Sequence, residues 1–528
     1  MSDRFITVET PEGRSSKLRI TGSDTNENLS ATLANAKLAL NTRCGERGIC
    51  RGCQVSCTSE SANESVTLRS CQTLTAELPA DLLSIQIPNS SWPDQSLLGV
   101  SHFEIRPSDK QLYTNGKGLG LAIDIGTTTL AGALWDLSNN TCLAHASLAN
   151  PQRRYGDNVL SRISYSIETE NGIQNLQSSL IKKGIAPLIR TLCKSASRDI
   201  SELGQAYAAG NPVMLHTLAG QSLKGLSTYP FKPAFLDPQE LEAEPLGLAI
   251  PCSLQLLPSF GPFVGADILA GALAASFHTT QTPSLLIDFG TNGEILLKYE
   301  TGYFATATAA GPAFEGGRLS CGASAGEGII SSLTFQNNAW SYTLCSGEPD
   351  SPARGISGAA YVDFIADALA NDLINEFGRF DREHPCTHIR TDGDDKEAIV
   401  KICEDVWISE ADVAEIMQAK AAIGAGISVL LEKADIEVDD LNSIFVAGGF
   451  GYFLNPKNAV AIGLLPSVRE EKIETIGNAC LGGLSAILQS DYSTEIETLR
   501  SQCETVELNL IPSFKDHFTD CLLLEPIE

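Results

Sequence analysis

Two short runs, far apart in the chain, carry the same reactive residues. Asp124, Gly126 and Thr127 stand in Asp124-Ile125-Gly126-Thr127-Thr128-Thr129. They return as Asp288, Gly290 and Thr291 in Asp288-Phe289-Gly290-Thr291-Asn292-Gly293-Glu294, all at one constant offset. A carboxylate at a strand end can hold a hydrated Mg2+. The glycine lets the backbone bend and lets a ligand come close. Hydroxyls and N–H groups of Thr127, Thr128, Thr129, Thr291 and Asn292 can donate to phosphate oxygens. One Asp-x-Gly-Thr run also makes an ordinary hairpin. Two of them predict a polyphosphate gripped from both sides.

Other residues can join that chemistry. Ser443 to Phe453 runs into Gly448-Gly449-Phe450-Gly451, a turn whose bare backbone can carry a flat adenine; a plain strand-ending glycine turn has the same composition. Asp267, near the start of a helix in Phe260 to Ser276, is a candidate metal or water-positioning carboxylate, with helix N-terminal charge pairing as its structural role. Glu294 is a second candidate for the water. Gly311, Glu315, Gly316 and Gly317 form another loop able to approach phosphate. Arg153, Arg154 and Arg162 either bind phosphate or partner carboxylates, or form an exposed charged helix face. Gly355 to Gly358 opens a helix whose N-terminus can take an anion. Ser409-x-x-Asp412 starts a long helix. His216 reads as a helix-face residue without chemistry, and the tail after about Leu499 reads as strand.

Apolar runs enter and leave both Asp-Gly-Thr runs, so each is expected to be strand, tight turn, strand. A repeat so widely spaced means two similar domains, not a solenoid. In the order phosphate hairpin, phosphate hairpin, glycine turn, these elements resemble the actin-like ATPase fold of sugar kinases, acetate kinases and heat-shock chaperones.

A different chemistry sits near the N-terminus. Cys44, Cys50 and Cys53 are spaced Cys-x5-Cys-x2-Cys, with Cys71 further on. That is close to the plant-type iron–sulfur spacing, and Gly45, Gly48 and Gly52 suit a loop wrapped round a cluster. Zinc competes, although its ligands usually come as two compact pairs. The stretch resembles 2Fe–2S ferredoxin domains of the plant and adrenodoxin type, and the match implies Cys44, Cys50, Cys53 and Cys71 as ligands. The step from Cys53 to Cys71 is shorter than usual. Cys57 therefore stays open as a ligand, and so does a four-iron cluster. Around it, Arg4–Thr10 and Lys17–Thr21 read as a hairpin, Leu29–Leu40 as a helix and Leu82–Pro88 as a last strand.

The 528 residues carry a net charge of −27 and are 43% hydrophobic. Such an acid balance argues against non-specific nucleic-acid binding, which needs Lys and Arg. No apolar run reaches about 18 residues, so no membrane span is expected. The first residues show no signal pattern, and the other cysteines are mostly scattered singly. Both point to a reducing cytoplasm. The organisation expected is an iron–sulfur domain over 1–88, a Ser-, Pro- and Gly-rich tether over 89–118 with one short strand over Val100–Ile105, and two ATPase subdomains over 119–280 and 281–528. The fold class is α/β: duplicated actin-like domains behind a small α+β ferredoxin-like, β-grasp domain.

With both halves in view the chain resembles the ATP-dependent reductive activators of corrinoid proteins. The stretches that carry this include AIDIGTTTLAGALWDL, NPQRRYGDNVLSRI, AAGNPVMLHTLAG, FVGADILAGAL, LLIDFGTNGEILL, AAGPAFEGG, FVAGGFG and IGNACLGGLSAIL. One turn departs: Gly-Ile-Cys-Gly-Ser-Gly in relatives is Gly355-Ile356-Ser357-Gly358-Ala359-Ala360 here. The resemblance implies a 2Fe–2S cluster, ATP and Mg2+, with Asp124 and Asp288 near the metal. It implies a corrinoid protein of a methyltransferase system as partner and an upstream electron donor, and it leaves a homodimer open. The reaction implied is reduction of inactive cobalt(II) to cobalt(I). A plant-type cluster sits near about −400 mV and the cobalt is harder to reduce, so ATP must bias the transfer through differential affinity between states. The rival readings are an activator of a dehydratase or radical enzyme, a small-molecule kinase with a redox sensor, and a non-catalytic scaffold.

Overall fold

Alternating apolar residues make half-buried strands, and the N-terminal segment is built from five of them. The computed structural model describes residues 4–10, 14–21, 27–36, 38, 40, 53–59, 65–88, 91, 103, 110, 118–346, 352–392 and 395–528. β1 (Arg4–Glu9), β2 (Ser15–Ile20), β3 (Gln54–Ser59), β4 (Val66–Arg69) and β5 (Leu82–Gln86) form one sheet in the order β2-β1-β5-β3-β4. β1 and β5 run parallel and the other pairs antiparallel. Helix Leu29–Asn35 lays Leu29 and Leu33 on Ile6, Val8, Val55 and Ile85. It is shorter than the sequence suggested. The Leu38 N–H returns to the Leu33 carbonyl at 2.9 Å, a closure that ends a helix by satisfying its last carbonyls.

The rest of the chain holds two larger sheets. The first contains β6 (Leu119–Ile125), β7 (Thr129–Asp136), β8 (Thr141–Ala149), β9 (Leu203–Ala209), β10 (Gln239–Leu241) and β11 (Leu254–Leu256), in the order β10-β11-β9-β6-β7-β8. The second begins with β12 (Ser284–Phe289), β13 (Gly293–Tyr299) and β14 (Gly302–Thr308). Two small sheets follow. One is made of β15 (Ile329–Gln336), β16 (Ala339–Leu344) and β17 (Gly355–Ile356). The other is made of β18 (Thr387–Asp392), β19 (Asp395–Cys403) and β20 (Val406–Ser409). The chain then completes the second large sheet with β21 (Ser443–Ala447), β22 (Ile473–Gly477) and β23 (Cys503–Thr505), in the order β22-β21-β12-β13-β14-β23.

Five strands of each large sheet correspond. The order β11-β9-β6-β7-β8 recurs as β22-β21-β12-β13-β14, with the same sequence of parallel and antiparallel pairs. The duplication first visible in two Asp-Gly-Thr runs therefore extends through both sheets. β6 is buried along almost its whole length, as strands covered on both faces are.

Two helices join the halves. Helix Ala266–Ala274 follows β11 and packs on β12 and β13. Helix Ala479–Gln489 follows β22 and packs on β6, β7 and β9. Each half thus lends a helix to the other half's hairpin, and the two helices pack on each other. Small residues allow the close approach. A Cβ on Gly483 would strike the Ala270 backbone, and one on Gly271 would sit 3.2 Å from Ala479 Cβ.

Helix Glu410–Ala434 starts on a capping box between Ser409 and Asp412, as expected. It is the one described helix long and apolar enough to cross a membrane. Of its apolar window, 78% is buried inside the protein. The tail after Leu499 is not strand throughout: Cys503–Thr505 pairs with β14 and Ile527 with Pro466, while Phe514–Asp520 is helical. Buried Lys420, on the long helix, holds the Cys521 and Leu523 carbonyls at 2.6 Å each and so closes that terminal helix.

Candidate functional site

The two hairpin turns face each other. Thr128 Oγ1 and Thr291 Oγ1, one from each hairpin, lie 2.7 Å apart, and both donate to Glu315 Oε2, at 2.8 and 2.6 Å. Glu315 ends a short turn, Pro312–Glu315, that is entered through Gly311 at φ +79°. Gly126 is required where it stands, since a Cβ there would lie 2.5 Å from the Thr129 carbonyl. In the second hairpin Gly290 N–H closes the turn on the Asn292 carbonyl at 3.1 Å.

Around the meeting point stand carboxylates that repel one another. Burial pushes Asp124 up to about 6, against a lowering hydrogen bond from Asn478, and Glu315 adds repulsion. Burial and then Asp124 push Asp267 up to about 7. Burial, Asp267, Asp124 and Glu315 push Asp288 up to about 8. Glu294, 6% exposed, is held well above the ordinary range by burial and by Asp267 and Asp288. The lending of helices explains the gathering: Asp267 opens the helix that packs on β12 and β13, the strands carrying Asp288 and Glu294. Among the described residues, no three His, Cys, Asp or Glu side chains form a closed metal cage. Mg2+ needs no such cage: it keeps several waters and takes one or two carboxylates plus phosphate oxygens.

A pocket opens beside this cluster. Thr129, Phe289 and Glu315 line one side, Gly449, Phe450 and Phe453 another, and Ser357 to Ala359 a third. Ser357 caps helix Gly358–Ala370, so the N-terminus of that helix faces the cavity. Gly448 takes φ +93°, and a Cβ there would lie 2.9 Å from Asp288 Oδ1. The structure thus brings together both hairpins, Glu315 and the glycine turn. Gly451 stays apart from the cavity and packs under Val446.

Three asparagines escaped the sequence reading. Each caps a helical turn with its carbonyl oxygen and uses its amide N–H on the site. Asn150 accepts from Gln152 N and donates to the Gly126 carbonyl at 2.8 Å. Asn211 accepts from Met214 N and donates to Thr127 Oγ1 at 2.9 Å. Asn478 accepts from Leu481 N and donates to Asp124 Oδ2 at 2.8 Å. The available signal was a strand followed by Asn-Pro, Gly-Asn-Pro or Gly-Asn-Ala. It shows a cap, but the direction of the spare N–H is tertiary.

Arg162 corrects the exposed-face and phosphate-binding alternatives. It is fully buried and donates to the Thr127 carbonyl at 2.6 Å, the Gly156 carbonyl at 3.1 Å and Gln152 Oε1 at 3.2 Å. Burial lowers it to about 9. His216, also fully buried, stacks on Phe235 with ring centres 4.1 Å apart. Its Nε2 accepts from Ala234 N at 3.0 Å, a structural role only.

Of the four proposed cluster ligands, Cys44 and Cys50 lie outside the described residues. Cys53 Sγ and Cys71 Sγ meet at 3.2 Å, and both are buried. Burial pushes the Cys53 thiol up to about 12. Cys57, on β3, pairs with Ile85 across the sheet and packs into the apolar core, where burial raises it to about 11.

Residues 119–280 match the family model described as the RACo middle region. Residues 282–527 match the model described as the C-terminal domain of RACo, the ASKHA domain. The corrinoid activation enzyme RamQ of Eubacterium limosum is 31% identical over 420 residues, 76% of this chain and 69% of that protein. The Co(II) methylated amine-specific corrinoid protein reductase of Methanosarcina barkeri is 24% identical over 69% of this chain and 68% of its own length. Among solved structures, a reductive activator for corrinoid, iron-sulfur protein aligns with TM-score 0.73 and 25% identity, covering 99% of this chain and 98% of the other.

Proposed function

The chain belongs to the family of reductive activators of corrinoid proteins, and from that premise we propose that it uses ATP to drive one electron onto the cobalt(II) of a corrinoid protein. The balance is one electron from an upstream donor, cobalt(II) to cobalt(I), and ATP plus water to ADP plus phosphate. The observation that carries the site assignment is the convergence of Thr128 and Thr291 on Glu315, inside a ring of carboxylates and beside an aromatic cavity.

MgATP, when bound, supplies the free energy of phosphoanhydride hydrolysis, and the iron–sulfur cluster supplies a one-electron carrier. The protein's own residues do the rest. Asp124 and Asp288 would hold the hydrated Mg2+. Asn478 fixes the Asp124 carboxylate in orientation. Thr127, Thr128, Thr129, Thr291 and Asn292 donate to phosphate oxygens. Gly311 and Glu315 bound the phosphate channel, while Gly448 and Gly449 offer bare backbone to the adenine. Asp267 and Glu294, both raised above the ordinary carboxylate range by burial and by neighbouring carboxylates, are the groups placed to take a proton from the attacking water.

For the electron carrier the ligand set is Cys44, Cys50, Cys53 and Cys71, and the group is 2Fe–2S. The adjacent sulfurs of Cys53 and Cys71 support it, as does the β2-β1-β5-β3-β4 sheet around them. Cys57 belongs to the core and not to the ligand set.

The test is anaerobic mixing of reduced protein with a cobalt(II) corrinoid protein. MgATP is expected to produce the cobalt(I) absorbance, and Asp288→Asn is expected to suppress it with the cluster spectrum intact. Equal cobalt(I) yield with and without nucleotide would overturn the role given to the site.

A further inference from the structure

The linker, expected to be a tether with one short strand over Val100–Ile105, touches the ATPase body at two described residues, Phe103 within that stretch and Lys110. The Phe103 backbone pairs antiparallel with Gly477, on the edge strand β22. Its ring lies 6.4 Å from that of Trp135, whose Nε1 donates to Ser485 Oγ in helix Ala479–Gln489 at 3.0 Å. Lys110 reaches the next helix, with Nζ 2.6 Å from the Asp491 carbonyl, 2.7 Å from Glu495 and over the Tyr492 ring.

Gly477 is also where both ends of the nucleotide site are tied. Its carbonyl accepts from Gly448 N–H at 2.8 Å, which sets the glycine turn. The next residue, Asn478, holds Asp124 Oδ2 at 2.8 Å. Two adjacent residues, Gly477 and Asn478, therefore touch the linker, the glycine turn and the Asp124 carboxylate.

We propose that Phe103 is a positioning residue for the nucleotide site: docked on Gly477, it steadies the Gly448 and Asn478 hydrogen bonds, so that nucleotide binding and linker docking favour each other. This rests on the MgATP reading above. Among the described residues, Phe103 is held by an isolated backbone bridge, by the Trp135 ring and by packing against the apolar core of the first half. Coupling of this kind is reciprocal. Whatever nucleotide does to docking, docking does to nucleotide affinity by the same factor. The linker carries the cluster domain, so the ATP state then governs how that domain is presented to the corrinoid partner.

The experiment is calorimetric titration of the full-length, cluster-loaded protein with a non-hydrolysable MgATP analogue. Phe103→Ala is expected to weaken binding about fivefold or more, with cluster absorbance and nucleotide-free unfolding temperature unchanged. Phe103→Tyr is expected to restore it. In an Asn478→Ser background Phe103→Ala is expected to cost much less, because the path is already cut. Equal affinity of wild type and Phe103→Ala, or fully additive losses in the double variant, would overturn the coupling and leave the nucleotide site standing. Failure of the wild type itself to bind the analogue would sink both. Should Phe103→Ala not fold, amide exchange at Phe103 and Gly477 in the wild type decides: slowing on analogue binding supports the proposal, and no change refutes it.

Discussion

Four residues of the site, Asp124, Asp267, Asp288 and Glu294, hold their protons more tightly folded than unfolded, because burial and mutual repulsion penalise the charged form. The stability they contribute is fullest below the ordinary carboxylate value and is lost as pH rises through about 6 to about 8. The unfolding temperature of the nucleotide-free protein is therefore expected to fall between those values. Added Mg2+ should flatten the slope by neutralising the cluster. Asp288→Asn removes one charge at nearly constant shape. Thermal unfolding at pH 8 should show it gaining on the order of 1–2 kcal/mol over wild type, while MgATP binding is lost. A pH-independent unfolding temperature, or an unstable Asp288→Asn, would refute this account.

The same scale carries a test of the asparagines. Asn478→Ser can still cap its helix but lacks the second arm that holds Asp124, so it should keep its unfolding temperature within a few degrees and raise KM for MgATP. Asn478→Asp also keeps a cap, yet sets a carboxylate against Asp124, and should abolish turnover. Equal kinetics of the two variants would mean that Asn478 only caps.

At the scale of elements, the joint between the halves is the pair of helices Ala266–Ala274 and Ala479–Gln489. Alanine normally improves a helix by about 1 kcal/mol over glycine. At Gly483 the new Cβ would strike the Ala270 backbone, so Gly483→Ala should destabilise by about 2 kcal/mol or more, as overpacking does. At Gly271 the nearest neighbour is a methyl group 3.2 Å away that needs to give only slightly, so Gly271→Ala should be close to neutral. Unfolding temperatures of the two variants, side by side, check the contrast. Because each helix serves the other half's hairpin, Gly483→Ala should also raise KM for MgATP from a position outside the site. Loss of stability with unchanged KM would show that the helix pair is only a joint.

For the whole molecule, electron carrier and ATPase body are two chemistries on one chain. Cys53→Ser or Cys71→Ser is expected to bleach the cluster absorbance and stop cobalt reduction while MgATP still binds. Cys57→Ser should leave the spectrum unchanged, since Cys57 faces the core beside Ile85. A bleached Cys57→Ser with a normal Cys71→Ser would reassign the fourth ligand.

What the sequence by itself determined was everything that period and composition encode. The apolar runs around Asp124 and Asp288 made hairpins, because strands buried on both faces need continuous apolar residues. The repeated Asp-Gly-Thr runs disclosed the duplication, since like residues at a fixed offset reflect like local backbone. The cap at Ser409 was equally legible, being a contact of residues three apart. Tertiary structure alone decided which distant residues meet. Arg162 under Thr127, and Asn150 and Asn211 on Gly126 and Thr127, are brought together by packing within the first half, Asn478 reaches Asp124 because the halves exchange helices, and Phe103 docks on Gly477 from the linker. No local pattern records that exchange. A buried arginine and an exposed one, or an asparagine that only caps and one that also grips a carboxylate, read the same in sequence and differ only in what the fold brings against them.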